Sequence, residues 1–267
     1  MKNICNKSAV ECMNGIDIII GLNGYLDGDS DWKSDGMSIP YSKLYFVTEG
    51  KGYIRYGDKT VILQPKKIYL IPFGLTHSFG CDKEIKKLYF HVISTHHGGP
   101  DLFEKCNDIL ETDISKDELD TMKEQYFSKD RADLLELKAK VFETISKFYK
   151  LAGINDSQVY SHITKSALMF INSNLSIRLS IRDIAKEVLV SESTLSKQFS
   201  ADMGISIGKY IDRTVMTKAQ QLLIRKDLSV KEISEKLGFC DRFYFSRKFS
   251  KYYHITPVQY RRLYSTV

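Results

Sequence analysis

The stretch that decides the fold is "SVKEISEKLGFCDRFYFSRKFSKYYHITPVQY", residues 229–260, because an earlier part of the chain repeats its pattern. That earlier part is "SIRDIAKEVLVSESTLSKQFSADMGISIGKYI", residues 180–211. Ile184 aligns with Ile233 at an offset of 49. Farther along the two copies, Phe199 aligns with Phe249 at an offset of 50. One extra residue in the middle of the later copy explains the change.

Each copy predicts two helices joined by a tight turn. A first helix of about eight residues precedes a second helix, on which apolar residues recur four apart, as at Leu195 and Phe199. Ala185 and Ser234 are small, which lets the two helices of a copy cross closely. This is a helix-turn-helix pattern, in which the second helix can enter the major groove of DNA. One copy is a weak signal, whereas two matched copies are a strong one.

The rings of the later copy lie among Arg and Lys residues, and they admit two interpretations. They can form a stacking platform for single-stranded nucleic acid, or a core beneath a basic surface. The repeat favours the core, because the rings occupy apolar positions of the first copy, as Tyr260 does for Tyr210. Phe243 is the exception and is predicted on the outer face. His254 replaces Gly204 at a helix end, which predicts a left-handed cap that is uncommon for histidine.

Positive charge is concentrated in the same part of the chain. Residues 158–267 hold eighteen Lys and Arg against nine Asp and Glu, a balance of +9 within a whole-chain charge of +6. The first 157 residues carry the remaining balance of −3. A basic domain beside a nearly neutral one is typical of a polyanion-binding protein, although many ordinary domains are equally basic.

The N-terminal half predicts a β-domain followed by helices. Residues 16–93 alternate short apolar runs with Gly and Pro turn signals, which predicts a small antiparallel barrel or jelly roll. Residues 131–152 show apolar residues three and four apart, which predicts an amphipathic helix ended by Gly153. This helix can pack on its own barrel or on a second copy of the protein. Residues 152–160 are the predicted linker to the second domain.

Composition argues against several classes of protein. The longest apolar runs fall short of the roughly 20 residues needed to cross a bilayer. The N-terminal residues lack the apolar core of a secretion signal. The five cysteines form no C-x-x-C pair, so we expect a reducing cytoplasm, without a disulfide framework or a zinc site. These cysteines are Cys5, Cys12, Cys81, Cys106 and Cys240.

The C-terminal motifs resemble those of a known family. "YIDRTVMTKAQQLL" (210–223), "ISEKLGF" (233–239) and "YFSRKF" (244–249) are similar to motifs of the AraC/XylS family of bacterial transcription regulators. The resemblance implies two helix-turn-helix modules joined by a long helix at residues 207–225, with recognition helices that enter successive major grooves on one face of the DNA. Residues 44–79 resemble the family's cupin-type effector-binding domain, except that Lys66-Lys67 replaces a turn usually made by Gly-Asp.

The resemblance and the helical pattern together predict the DNA-reading residues. On the first recognition helix, the outward positions near the start are Ser193, Ser196 and Lys197. On the second helix, the outward positions are Arg242, Phe243, Ser246 and Arg247. An arginine can bind guanine through two hydrogen bonds, and a phenylalanine can contact a thymine methyl group. Phosphate contact or simple solvation is the alternative role for each cation.

The β-domain lacks the pattern of a metal-dependent cupin enzyme. Such a site needs an H-x-H pair on one strand, then a carboxylate and a later histidine. Here the corresponding strand has no histidine, and His77 remains alone in the later position. The acidic segment at residues 27–36 has Trp32 where a calcium loop needs glycine. No catalytic motif is recognised, so we expect neither an enzymatic activity nor a cofactor.

Ligand binding is the better use predicted for this domain. The resemblance implies an effector pocket near His77, Phe79 and Tyr89. Alternation along a strand puts Lys87 and His91 on the same face as Tyr89. It also puts Tyr53 and Arg55 on a common face of another strand. Aromatic walls with a few polar groups suit a sugar or another small polar ligand, although rings can also simply fill a barrel. The candidate effector-binding residues are therefore Tyr53, Arg55, His77, Phe79, Lys87, Tyr89 and His91.

These observations predict an α+β protein of two domains. Residues 1–157 form an antiparallel β-barrel of the cupin or jelly-roll type with following helices, and residues 158–267 form an all-α double helix-turn-helix domain. The expected function is sequence-specific regulation of transcription, mostly activation in this family, in response to a small molecule such as a carbohydrate. The expected partners are double-stranded promoter DNA, the effector and RNA polymerase, with a cytoplasmic homodimer formed through residues 131–152 and no membrane. The alternatives are a ligand-independent DNA-binding regulator and a cupin enzyme fused to a DNA-binding domain.

Overall fold

The structure is a computed structural model, and it describes residues 13–37, 40–96, 99–154, 160–224 and 227–265. The chain divides into two compact units. The β unit comprises Ile18–Ser94 and Asp101–Asn155. The helical unit comprises Asp156–Val267 with the shorter segments Met1–Asp17 and Thr95–Pro100. Of the predicted linker, residues 155–159 lie outside the described residues.

The β unit is built from largely antiparallel strands, most of them short. In chain order the described strands are β1 (Ile16–Asp29), β2 (Ser34–Met37), β3 (Ser42–Gly50), β4 (Gly52–Tyr56), β5 (Lys59–Leu63), β6 (Lys67–Ile71), β7 (His77–Gly80), β8 (Glu84–His96) and β9 (Leu110–Asp113). They form a five-stranded sheet, β1-β8-β3-β6-β9, and a four-stranded sheet, β2-β7-β4-β5. The predicted α+β class with a cupin-like β-domain is confirmed. Among the described strands, the two sheets do not join into a closed barrel.

The paired strands β3 and β8 give the five-stranded sheet two different faces. Tyr45 lies opposite Tyr89 across this pair, and successive side chains of a strand point to opposite sides. Leu44 and Phe46 therefore pack on one side, against helices. Tyr45 and Val47 pack on the other side, against the four-stranded sheet. We call this second side the inner face, and it is where a ligand between the sheets would lie.

Two helices cover the opposite, outer face. They are α1 (Lys116–Phe127) and α2 (Arg131–Leu151). Helix α2 follows the predicted amphipathic pattern, and Gly153 after it has a φ of 59°, as expected for a glycine that ends a helix. The apolar stripe of α2 is buried against the sheet, and Val141 and Phe148 have no exposed surface. Packing within the chain, one of the two options for this helix, therefore accounts for the stripe.

The helical unit contains two copies of one motif. Its described helices are α3 (His162–Ser173), α4 (Ile181–Glu187), α5 (Glu192–Met203), α6 (Ile207–Ile224), α7 (Val230–Lys236), α8 (Arg242–Tyr253) and α9 (Pro257–Ser265). The pairs α4–α5 and α7–α8 are the predicted helix-turn-helix modules. Helix α6 is the predicted long helix between them, and residue 225, its predicted end, lies outside the described residues.

The two modules match at the level of single hydrogen bonds. In the first turn, the amide of Val190 donates to the carbonyl of Ala185 at 3.1 Å. In the second turn, the amide of Phe239 donates to the carbonyl of Ser234 at 3.0 Å. Donor and acceptor are both shifted by 49 residues, as the sequence alignment predicts. The repeat is therefore a structural repeat.

The ends of the second helices explain the change of offset. Helix α5 begins after the cap residue Ser191, and α8 begins after Asp241, 50 residues later. The extra residue is therefore Cys240. The same helices end at Gly204 and His254, which have left-handed φ values of 68° and 61°. The uncommon histidine cap predicted from the sequence is confirmed.

Each interhelical turn also contains one left-handed residue. Leu189 has a φ of 57° in the first turn, and Gly238 has a φ of 79° at the matching position of the second. The Leu189 side chain is 90% exposed, so the first turn has room for it. A Cβ atom at Gly238 would overlap the Oγ atom of Ser176. The second turn therefore requires glycine for packing as well as for conformation.

We expect Gly238→Ala to lower the free energy of unfolding more than Gly204→Ala does. Both glycines have a positive φ, so each alanine carries a left-handed penalty of about 1–2 kcal/mol. At Gly238 the new methyl group also meets Ser176, whereas at Gly204 no heavy atom lies within 4 Å. Urea unfolding of both variants measures the difference. Equal losses would show that the contact with Ser176 does not matter.

Candidate nucleic-acid interface and ligand pocket

Helix α5, the second helix of the first module, has a buried side and an exposed side. Leu195 and Phe199 have no exposed surface, and they attach α5 to the rest of the module. Ser193 and Lys197 are exposed, and Ser196 is half-buried. The structure therefore places the three predicted DNA-reading residues together, in the first half of the helix and away from its buried side.

Helix α8 repeats this arrangement in the second module. Phe245 and Phe249 are fully buried at the positions of Leu195 and Phe199. The predicted DNA-reading residues again share the other side of the helix, where Ser246 is half-buried and the rest are exposed. At the offset of 50, the matched pairs are Glu192 with Arg242, Ser193 with Phe243, Ser196 with Ser246, and Lys197 with Arg247.

The first turn of α8 is held in a defined geometry. The carboxylate of Asp241 accepts hydrogen bonds from the amides of Phe243 and Tyr244, each at 2.7 Å. The bond from Tyr244 is the largest cause of the lowered pKa of Asp241. The Arg242 guanidinium lies 4.8 Å from the centre of the Phe243 ring, which is 61% exposed. The hydroxyl of Ser246 donates to the Arg242 carbonyl at 2.7 Å, so its oxygen is left to accept from another group.

Helix α6 supports the second module through two side-chain contacts. Lys248 of α8 forms an ion pair with Asp212 of α6 at 2.8 Å. Arg261 of α9 donates to the carbonyl of Leu223 at 3.3 Å and to that of Leu228 at 2.6 Å. Carbonyls at a helix end lack partners within the helix, so this arginine satisfies the end of α6. The role of Arg261 here is structural.

The predicted ligand-binding residues fall into two groups. Tyr53 and Arg55 share one face of β4, as expected, but Ile54 between them is the residue buried between the sheets. Tyr53 and Arg55 therefore point away from the inner face, where the Arg55 guanidinium lies 4.3 Å from the Tyr53 ring. The other five candidates lie between the sheets, on β7 and β8. These five are His77, Phe79, Lys87, Tyr89 and His91.

A lysine that sequence reasoning missed completes the inner group. Lys43 of β3 lies opposite His91 of β8, and its Nζ atom is 3.0 Å from Nε2 of His77. The Nδ1 atom of His77 is 2.7 Å from the carbonyl oxygen of Leu75. A carbonyl only accepts, so Nδ1 carries the proton and Nε2 accepts from Lys43. The available signal was that Lys43 lies in phase with Tyr45 along β3.

Lys87 is enclosed by aromatic rings. It is 1% exposed, and its Nζ atom lies 3.6 Å from the centre of the Trp32 ring and 3.3 Å from that of Tyr45. Within the part of the chain that the structure describes, this Nζ atom has no hydrogen-bond partner, and neither has Nδ1 of His91. The faces of these two rings are therefore the nearest surroundings of the Lys87 amine, and when the amine is protonated these contacts are cation–π interactions.

Burial makes every basic group of the inner face harder to protonate. Desolvation lowers the pKa of Lys43 to about 7. Desolvation and then the charge of Lys43 lower the pKa of His77 to about 4. The same two causes lower the pKa of Lys87 well below its usual value. The pKa of His91 is lowered by desolvation first, and then by Lys43 and Lys87.

A surface cavity of about 240 Å³ lies between the segment before β7 and the segment before β9, and none of the candidate ligand-binding residues lines it. The described residues contain no cluster of three or more His, Cys, Asp or Glu that could hold a metal ion. Among them there is also no helix long and apolar enough to span a bilayer. The cavity is lined by Phe73, Gly74, Leu75, Thr76, Glu104, Cys106 and Asn107.

Comparison with known sequences connects these features to proteins of known role. A family model described as a helix-turn-helix domain matches residues 184–263, which run from α4 into α9. The lactose operon transcription activator of Staphylococcus xylosus is 27% identical over 278 aligned residues, which span 99% of this chain and 95% of that protein. The transcriptional activator Btr of Bacillus subtilis is 28% identical over 241 residues. That match spans 84% of this chain and 44% of Btr, so the chain covers less than half of that relative.

Comparison with solved structures shows a shared fold over most of the chain. A crystal structure of ToxT from Vibrio cholerae matches with a TM-score of 0.57 at 14% identity, and the match covers 93% of this chain and 97% of that one. At this identity the likeness concerns the fold alone. With two matched modules, a helix-turn-helix model over residues 184–263 and transcription activators among its relatives, the chain is similar to the DNA-binding transcription regulators of the AraC/XylS family.

Proposed function

We propose that this chain activates transcription when a small molecule binds between the sheets of its β unit. The observation that carries the DNA-binding part is the agreement between α5 and α8, which expose matched positions on helices held in the same way. Both relatives described above are named as transcription activators, which supports activation over repression. In this proposal residues 1–157 bind the effector and support dimerisation, and residues 158–267 bind promoter DNA.

The two recognition helices are proposed to share the reading of DNA unequally. Helix α8 presents Arg242 and Arg247 at positions where α5 has Glu192 and Lys197. An arginine that binds guanine through two hydrogen bonds discriminates against other bases, whereas small serines accept several base edges. We therefore assign most of the sequence discrimination to the second module, and mainly positioning to the first.

The effector is proposed to contact the five inner-face residues and Lys43. A carbohydrate is the first class to consider, because the Staphylococcus xylosus relative is named for the lactose operon. Tyr53 and Arg55 are left out of the proposed site, because they point away from the inner face.

Assembly and contacts with the transcription machinery complete the proposal. The buried stripe of α2 is occupied by its own sheet, but Leu134 and Leu135 near its start are 42% and 67% exposed. We propose that this apolar edge contributes to a homodimer. We also propose that the protein acts in the cytoplasm and contacts RNA polymerase, as the family resemblance implies.

Arg247→Ala is expected to weaken binding to the preferred DNA sequence by about five- to 150-fold, the loss of one guanine contact of about 1–3 kcal/mol. The preferred sequence is obtained by selecting duplexes from a random library with the wild-type protein. The affinity of each variant for this selected duplex is then measured by fluorescence anisotropy at one fixed salt concentration. Lys197→Ala is expected to weaken binding to the selected duplex and to random duplexes alike, because we propose that Lys197 contacts a phosphate group. It should also reduce by about one the slope of log affinity against log salt concentration.

The matched control is Lys251→Ala, which removes one exposed cation from the last turn of α8. It is expected to leave the sequence preference unchanged, because recognition helices contact bases with their N-terminal residues. If Arg247→Ala loses no more affinity than Lys251→Ala does, the proposed reading face of α8 is wrong.

Phe243 is expected to contact a thymine methyl group. Replacing that thymine with uracil removes the methyl group and should weaken wild-type binding about fourfold, the equivalent of roughly 0.8 kcal/mol for one buried carbon. In the Phe243→Ala variant, the same replacement should have no effect, because the partner of the methyl group is gone. Each thymine of the selected duplex is replaced in turn. A uracil effect that survives in the variant would place the contact elsewhere.

A further inference from the structure

The inner face of the β unit holds two buried lysine amines for which the described residues provide no counter-charge. Lys43 is 3% exposed and Lys87 is 1% exposed. Among the described residues, neither lysine forms an ion pair, and no carboxylate contributes to the pKa of either. Burying an ammonium group without a counter-charge is unfavourable, so such groups are usually paired or neutral.

The neighbouring residue shows that this chain does pair its lysines elsewhere. Lys86 directly precedes Lys87 on β8 and points to the opposite face. Its Nζ atom lies 3.2 Å from a carboxylate oxygen of Glu49 and 3.7 Å from one of Asp27. Lys86 is partly exposed, so water would solvate its charge in any case, and yet it has two acidic partners. Lys87 is buried, and it has no acidic partner among the described residues.

The unbalanced groups also have unused hydrogen-bonding capacity. Lys87 Nζ has donors but no acceptor within the described residues, and His91 Nδ1 has no partner there either. Lys43 has one acceptor, the neutral ring of His77. Aromatic rings line the same region, since the Trp32 and Phe79 rings lie 4.6 Å apart beside the lysines.

We infer that the effector carries an anionic group, a carboxylate or a phosphoryl group, which binds Lys87 and Lys43 between the two sheets while the rest of the molecule packs on the surrounding rings. This inference rests on the proposed function, because it names the chemical class of the effector. An anionic oxygen supplies both the missing charge and the missing acceptors, which a neutral sugar hydroxyl does only in part. The carboxylate and the phosphoryl group share this chemistry, and the experiment below separates them.

Binding is expected to weaken as the pH rises above about 7, the pKa of Lys43 in the free protein. Below this pH Lys43 is already protonated when the anion arrives. Above it, the free protein holds Lys43 neutral, so binding must protonate Lys43, and this step lowers the affinity by up to about tenfold for each pH unit. Lys87, whose pKa is also lowered, adds to this fall at any pH where the free protein holds it neutral. Among the described residues, the other titratable groups around Lys43 and Lys87 are His77, His91, Cys81, Tyr41, Tyr45 and Tyr89.

The chain provides its own reporter for the test. Trp32 is the single tryptophan of the sequence, and its ring contacts Lys87. The full-length protein is titrated with glucose, glucose 6-phosphate, glucuronate and inorganic phosphate at constant ionic strength, while tryptophan fluorescence is recorded. We expect a saturable change with at least one of the three anions and none with glucose. A response to the phosphates alone assigns a phosphoryl group, and a response to glucuronate alone assigns a carboxylate.

Two variants locate the anion. Lys87→Met is expected to weaken the anion response about tenfold to hundredfold, the loss of one charge-assisted hydrogen bond. It should still fold, and with a raised Tm, because methionine removes a buried, unbalanced amine. Lys83→Met is the matched control, since it removes an exposed lysine from the turn before β8 and should keep the wild-type response.

The outcomes separate this inference from the proposed function. No saturable response to any anion, an equal response to glucose, or an unchanged response in Lys87→Met would overturn the inference. If the same preparations still bind the selected duplex, the DNA-binding proposal survives that result. Loss of specific DNA binding together with a normal anion response would overturn the proposed function and leave the anion site in place.

Discussion

The geometry of each helix-turn-helix module depends on how backbone hydrogen bonds close the turn between its two helices, and one of these bonds joins the end of the turn to the middle of the first helix. The acceptors of this bond are the carbonyls of Ala185 and Ser234, and both residues are buried and small. A short turn and a close crossing fix the direction of the second helix relative to the first. With Leu195 and Phe245 facing inwards, the exposed side of each second helix is determined. The surface that we assign to DNA is thus a consequence of how the turn is closed.

The modules differ where their surroundings differ. The second turn contains the extra residue Cys240, and it needs glycine at position 238 because Ser176 occupies the space beside it. The first turn accepts Leu189 at the matching position, in the same left-handed conformation. The same scaffold therefore presents two different surfaces at the proposed DNA-reading positions, a nearly neutral one on α5 and a cationic, aromatic one on α8.

Local features of the fold could be predicted from the sequence, because neighbouring residues determine them. The repeat, its change of offset and the left-handed cap at His254 belong to this class. The inner face could be predicted only in part, since alternation groups Lys87 with Tyr89 but does not identify strand partners. Lys43 joins them because β3 pairs with β8, and no local pattern specifies that register. Alternation likewise puts Tyr53 and Arg55 on one face without saying which face is buried.

We propose that the two modules of this regulator read adjacent turns of DNA. Hydroxyl-radical and methylation-interference footprinting on the selected duplex tests this claim most directly. We expect two contacted major-groove segments on one face of the duplex, about 10 base pairs apart between centres. A single contacted segment, or contacts spread around the duplex without that spacing, would contradict it.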